Sequence, residues 1–161
     1  MKRLDTELPE EIRWLEQLKR YCAYQERCHA EVIAKMEQLK VPYTHHDELI
    51  AALISENYLN EERFAKLYAV SKLRQKSWGL RRIKMGLKER DVSSYCIDIA
   101  LNSIDQNEYA EILRHTATKK SDSIHEPDPW LKQQKLSDYL IRKGFEPERV
   151  WTLVKALVPV D

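Results

Sequence analysis

The sequence predicts an all-α protein, an elongated array of tandem three-helix repeats with about nine helices. Three observations carry this expectation. Only three glycines occur in 161 residues, and Ala, Leu, Glu, Lys, Arg and Gln dominate, so helix is favoured nearly everywhere. No sustained alternation of apolar and polar residues marks a strand. One apolar spacing recurs three times: Leu136, Leu140, Phe145, Val150, Leu153 and Leu157; Ile83, Leu87, Val92, Ile97 and Leu101; and Val32, Met36 and Val41, which loosens at His46 and resumes at Ile50 and Leu53. A step of four keeps side chains on one helix face, and a step of five across a turn carries the chain into a second helix. A repeat near fifty residues implies stacked units that complete one another's core. The expected divisions are 1–56, 57–106 and 107–161.

Each element has local signals. Thr6 reads as the cap of a first helix, with Pro9 and two glutamates in its opening turns and Ile12, Leu15, Leu18 and Cys22 as its stripe. A second helix runs from about Cys28 to Leu39 and ends before Pro42. Thr44 reads as the cap of a third helix, which carries Leu49, Ile50, Leu53 and Ile54. Asn60 caps the fourth, with Glu61 and Glu62 in its first turn. That helix shows Phe64, Leu67, Tyr68 and Ser71 on one side and stops around Ser77-Trp78-Gly79, with Gly79 as the breaker. Helices five (80–90) and six (93–103) form the middle repeat. Asp105 and Glu108 have capping-box spacing for a seventh helix to about Lys119, and 119–126 reads as a loose linker. Asp128-Pro129 opens the eighth helix, which Gly144 ends, and Glu146-Pro147 opens the ninth. Phe64, Leu67, Tyr68, Ile83, Leu87, Ile97 and Leu101 are the expected core.

Candidate catalytic groups are few. Cys22, Cys28 and Cys96 are odd in number and form no CxxC, which points to reduced thiols and a cytoplasmic setting. Cys28-His29 and His45-His46 offer metal-ligand types without zinc spacing. Glu61-Glu62 sits in a helix first turn, where the dipole explains it, and no glycine-rich phosphate loop or nucleophile elbow occurs. Neither an enzyme nor a cofactor or metal is expected. No apolar stretch is long enough to cross a bilayer, and MKRLDTELPE is not a secretory signal, so no membrane partner is expected. No long heptad seam demands a dimer, so a monomer is expected.

The net charge of +1 hides an uneven distribution. Between Glu62 and Glu89 no acidic residue occurs, whereas Arg63, Lys66, Lys72, Arg74, Lys76, Arg81, Arg82, Lys84 and Lys88 do. Arg81, Lys84 and Lys88 share one helix face, opposite Ile83 and Leu87. Lys72, Arg74 and Lys76 end the preceding helix, where cations stabilise the negative pole. Two readings stay open: a solvated face with helix-end lysines, or a surface that docks on a polyanion or an acidic protein groove. Trp78 serves either as corner packing or as a stacking platform.

The segment from Leu53 to Ala65 (LISENYLNEERFA) resembles a recurring pattern, L-x-x-x-G-Y-L-[ND]-[DE]-x-R-F-A, of the bacterial RecX family, regulators of the RecA recombinase. Trp78 to Lys88 (WGLRRIKMGLK) is similar to its G-[YW]-G-x-x-[RK]-I-x-x-x-L-x-x-[KR]-G-[IV] signature, and Leu136 to Phe145 (LSDYLIRKGF) to its third-repeat motif. The likeness covers roughly Ala23 to Leu157. Asn57, Ser77 and Asp91 replace family glycines, and the first repeat shows Cys28-His29-Ala30-Glu31-Val32 in place of Ser-Glu-x-Glu-Leu. Asn and Asp tolerate the left-handed backbone best among non-glycine residues. The resemblance implies docking in the groove of a RecA filament on single-stranded DNA, restraining ATP hydrolysis and strand exchange. On that reading Lys72, Arg74, Lys76, Arg81, Arg82, Lys84 and Lys88 contact the RecA filament or its single-stranded DNA. The alternative is a helical nucleic-acid-binding regulator that acts without RecA, and a third class is an adaptor that uses its apolar corners.

Overall fold

Left-handed residues punctuate the chain at matching places. The computed structural model describes residues 8–161, and in these Lys40 (φ 60°), Asp91 (φ 57°) and Gly144 (φ 101°) recur at intervals of about fifty residues. Each ends a helix with the same pair of bonds. Its own N–H reaches the carbonyl three residues back (Glu37, Lys88, Ile141), and the next N–H reaches the carbonyl five back (Met36, Leu87, Leu140), at 2.9–3.2 Å. The following residue, Val41, Val92 or Phe145, is buried. Asn57 (φ 64°) makes the same turn between the first and second repeats.

The described residues form nine α-helices and one short 3₁₀ turn: α1 Glu10–Tyr24, α2 His29–Gln38, α3 His46–Ser55, α4 Glu61–Lys76, α5 Leu80–Glu89, α6 Ser94–Asn102, α7 Gln106–Ser123, α8 Pro129–Arg142 and α9 Pro147–Leu157. They pack as triplets in chain order: α1 on α2 and α3, α4 on α5 and α6, α7 on α8 and α9. The principal packing between triplets is α4 against α7.

Caps account for most helix starts. Asn60, Ser93 and Asp105 accept from the N–H three residues on, at 2.9, 3.3 and 2.8 Å. Asp128 accepts from Trp130 at 2.9 Å, with Pro129 at the first helical position. Before α2, Cys28 stands where Ser or Thr is usual, and the Glu31 carboxylate accepts from both its N–H (3.3 Å) and its thiol (3.2 Å). Burial, first of all, raises that thiol to about 11, so it is protonated and inert as a nucleophile.

The structure corrects several expectations. Thr6 lies outside the described residues, and Pro9 is the cap of α1 rather than part of its opening turn. Ile12 faces solvent, and Trp14 and Leu15 flank Leu18 and Cys22 instead. Thr44 lies inside the 3₁₀ turn Tyr43–His45, and α3 starts at His46. Helix α7 runs through Ser123, so most of the expected linker is helical: Thr116, Ala117 and Ser121 fall on one buried face while Lys119 stays outside. Leu67 is 48 % exposed. It lies two residues from both Ala65 and Ala69, which are fully buried, and so about 200° around the helix from that inward face. Leu101 is half-buried, with Ala100 and Ile104 in the interior.

His46 continues the apolar series rather than breaking it. It is buried at the place taken by Ile97 and Val150 in the other repeats, and its Nε2 lies 3.0 Å from the Val41 carbonyl. A buried ring nitrogen is tolerated there because it is hydrogen-bonded.

The interior divides unequally. Leu18, Cys22, Val32, Met36, Val41, Leu49, Leu53 and Leu59 form the core of the first triplet. A second, continuous core runs from Phe64 to Val158 and joins the second and third triplets, with Cys28 of the first at its margin. Polar ties hold the first junction: Arg63 donates to Glu26 at 2.5 Å and to the Asn57 side chain and carbonyl at 3.0 and 3.1 Å.

Candidate interaction surface

The corner between α4 and α5 organises the cationic residues. Ser77 is the left-handed residue there (φ 53°), and its N–H returns to the Leu73 carbonyl at 3.1 Å. Gly79 is not the breaker. Its backbone is extended (φ −76°, ψ 168°), which any residue adopts. It is required by close approach: a Cβ there would lie 2.2 Å from both the Gly144 carbonyl carbon and the Phe145 nitrogen. Across this contact Gly79 donates to the Lys143 carbonyl at 2.8 Å, and Arg81 donates to the Gly144 carbonyl at 3.0 Å. The second and third repeats are therefore pinned backbone to backbone.

Tyr109 fills the space beneath the corner. It is fully buried, accepts from the Leu80 N–H at 3.2 Å and donates to Glu146 at 3.0 Å, thereby tying the starts of α5 and α9. Burial, foremost, and the neighbouring Glu146 carboxylate raise its phenol well above the usual range, so it stays protonated.

The seven cations singled out in the sequence divide by environment. Arg81, Arg82, Lys84 and Lys88 are exposed on α5, opposite the fully buried Ile83 and Leu87. Lys72 and Arg82 lie over the half-buried Trp78 ring, at 5.2 and 4.3 Å from its centroid. Trp78 thus packs on the core and orders two cations. Lys76 is exposed at the end of α4. Arg74 differs: it makes a two-pronged pair with Glu108, at 2.6 and 3.1 Å, and joins α4 to α7. Arg63 is engaged at the first junction, and Lys66 pairs with Glu62 at 2.9 Å. Among the described residues, no carboxylate lies within ion-pair reach of Lys72, Lys76, Arg81, Arg82, Lys84 or Lys88.

Lys143 joins this cluster from the third repeat, which the charge run could not reveal. Its Nζ donates to the Lys76 carbonyl at 2.6 Å. Burial, first, and then the charges of Arg82 and Lys76 lower its pKa. Tyr109, Lys143 and Gly144 are the site-forming residues that sequence reasoning missed. The recurring family-like Lys143-Gly144-Phe145 text marked a turn, but not its meeting with Gly79.

Among the described residues, no group of three or more His, Cys, Asp or Glu is placed to hold a metal, and the three cysteines are buried free thiols. No described helix is long and apolar enough to cross a membrane.

The architecture defines an all-α protein built from tandem three-helix repeats. Comparison with known proteins places it in a family. Residues 60–101 match the family model of the RecX second three-helix domain, and residues 107–154 match that of the RecX third three-helix domain. Together these span more than half of the chain, which belongs to the RecX family. It is 30% identical over 115 residues to the regulatory protein RecX of Leuconostoc mesenteroides subsp. mesenteroides, covering 71% of this chain and 43% of that one. It is 29% identical over 133 residues to the regulatory protein RecX of Clostridium beijerinckii, covering 81% and 62%. The chain spans about half the length of the curated relatives it matches. These relatives are named as regulatory proteins, in keeping with the expectation of no enzymatic activity. The fold is similar to the crystal structure of RecX from Lactobacillus salivarius, with TM-score 0.84 and 22% identity over 93% of this chain and 97% of that one.

Proposed function

We propose that this chain restrains a RecA filament on single-stranded DNA, with residues 57–106 as the docking module. The observation that carries this reading is the outward row on α5: Arg81, Arg82, Lys84 and Lys88 are exposed and have no carboxylate partner among the described residues. Unpaired cations on a rigid helix suit an acidic or phosphate-rich surface, and their role is charge complementarity and orientation. Family membership supports the choice of RecA, and repeats in series suit a long polymeric partner. The chain acts in the cytoplasm as a monomer. Arg74 contributes less than its neighbours, because Glu108 already holds it.

The test is the RecA ATPase rate on single-stranded DNA with sub-stoichiometric amounts of this protein. Wild type lowers the rate. Arg81→Glu/Arg82→Glu/Lys84→Glu keeps its helicity and loses the effect. A triple variant that inhibits as well as wild type refutes the site, and a wild type without effect refutes the function.

A further inference from the structure

The repeat makes the two junctions comparable position by position. At the second junction the close contact is made by Gly79, just before α5, and by Gly144 in the left-handed turn, while Tyr109 stands four residues beyond the Asp105 cap. At the first junction the same places hold Cys28, Asp91 and Phe64, four residues beyond the Asn60 cap. None of these can do what its counterpart does. Cys28 and Asp91 carry side chains where the second junction has room for none, and so hold the two backbones apart. The Cys28 N–H is committed to the Glu31 carboxylate at 3.3 Å. Among the described residues no backbone hydrogen bond joins the α1–α2 corner to the Asp91 turn, whereas two join Gly79 and Arg81 to the Lys143–Gly144 turn. Phe64 has no hydroxyl, so the bonds that Tyr109 makes to Leu80 and Glu146 have no equivalent.

We propose that the first repeat is an arm that pivots on a single body formed by the second and third repeats, and that Arg63 is the latch that holds it closed. The two parts have separate cores. Leu59 is anchored in the first core and the next residue, Asn60, caps α4, which places the pivot at the link between them. Apolar contact across the junction is confined to a margin, where Cys28 and the half-buried Ala30 touch the larger core. Small interfaces of this kind permit relative motion of the parts they join.

Arg63 makes the polar tie. One guanidinium donates to Glu26 at the α1–α2 corner, at 2.5 Å, and to the Asn57 side chain and carbonyl, at 3.0 and 3.1 Å, so it clamps the arm and the connection together. The other Glu26 oxygen, Oε2, is buried with no hydrogen-bond partner. Opening hydrates that oxygen, which offsets part of the loss of the pair. The motion changes the angle between α1–α3 and the cationic α5 face, and it needs no partner, recombinase or other.

The test measures residual dipolar couplings of the backbone amides in the whole ¹⁵N-labelled chain, weakly aligned in a neutral gel. Helices α4–α9 fit one alignment tensor. Arg63→Gln removes a charged hydrogen bond and raises the open-to-closed ratio of the arm about tenfold. The alignment of α1–α3 then falls relative to α4–α9, while helicity by circular dichroism is unchanged. Glu26→Ala leaves both Asn57 bonds in place, so it reads the latch alone, and it gives the same fall; it decides the matter if Arg63→Gln loses helicity. A folded Glu26→Ala chain in which all nine helices keep one common tensor overturns the latch. A third repeat that loosens from the second as much as the first does overturns the division into arm and body.

Discussion

Replacing Gly79 with Ala tests whether the second and third repeats fold as one body. The added methyl would sit 2.2 Å from the Gly144 carbonyl carbon and the Phe145 nitrogen, and 2.4 Å from the Gly144 oxygen. Ordinary carbon contacts lie near 3.5–4.0 Å, so the two backbones must part by roughly 1.3 Å or more. Backbone atoms cannot swing aside as a side chain does. That separation breaks the Gly79–Lys143 and Arg81–Gly144 hydrogen bonds, worth about 1 kcal/mol each. Overpacking adds about 1–3 kcal/mol, and the stiffer unfolded chain returns about 0.4–1. The net loss is about 2–4 kcal/mol. For a chain of this size it lowers the midpoint by on the order of 5–15 °C. Thermal and urea unfolding followed by far-ultraviolet circular dichroism measures it. A midpoint within about 2 °C of wild type would refute the reasoning. Two other glycines calibrate the result. Gly144→Ala should cost at least as much, since it adds a positive φ of 101° to a contact 2.6 Å from the Arg82 nitrogen. Gly86→Ala should cost less, because the obstacle is one side chain, Tyr68, rather than backbone, and alanine favours the helix by about 1 kcal/mol.

Tyr109→Phe should destabilise the chain by about 1–3 kcal/mol, because it strips a partner from both the Leu80 N–H and the Glu146 carboxylate; urea midpoints check this. Leu87→Ala should cost about 2–5 kcal/mol, since its side chain is fully buried; a loss under 1 kcal/mol would mean the core collapses around the gap. The acid limb depends on two carboxylates. Hydrogen bonds from Arg74 and Lys135 hold Glu108 and Glu126 below the usual 4.5, so the unfolded chain binds more protons there. Their contribution is present above about 4.5 and is lost as pH falls through the lower folded values. Glu108→Gln/Glu126→Gln should therefore show a shallower decline of melting temperature between about pH 6 and 3, and an identical acid slope would contradict this.

Local chemistry made the helices legible in advance. Asn60, Asp105 and Asp128 announce their caps within three residues, and the four-and-five spacing names the buried Ile83, Leu87, Val92 and Ile97, because each signal acts over a turn or two. The cationic face of α5 was legible for the same reason: one helix face is a property of the sequence alone. Alanine carries no such signal, so the burial of the Ala65–Ala69 face, and hence the exposure of Leu67, emerged only from packing. Contacts between distant segments are likewise absent from any local pattern. Arg74 meets Glu108, Gly79 meets Gly144, Tyr109 meets Leu80 and Glu146, and Lys143 meets Lys76 only once the third repeat docks on the second. The residues by themselves determined helices, turns and the sign of the surface charge; tertiary structure decided which cations are spent on holding repeats together and which remain for a partner, because ion pairing depends on distances that no spacing along the chain encodes.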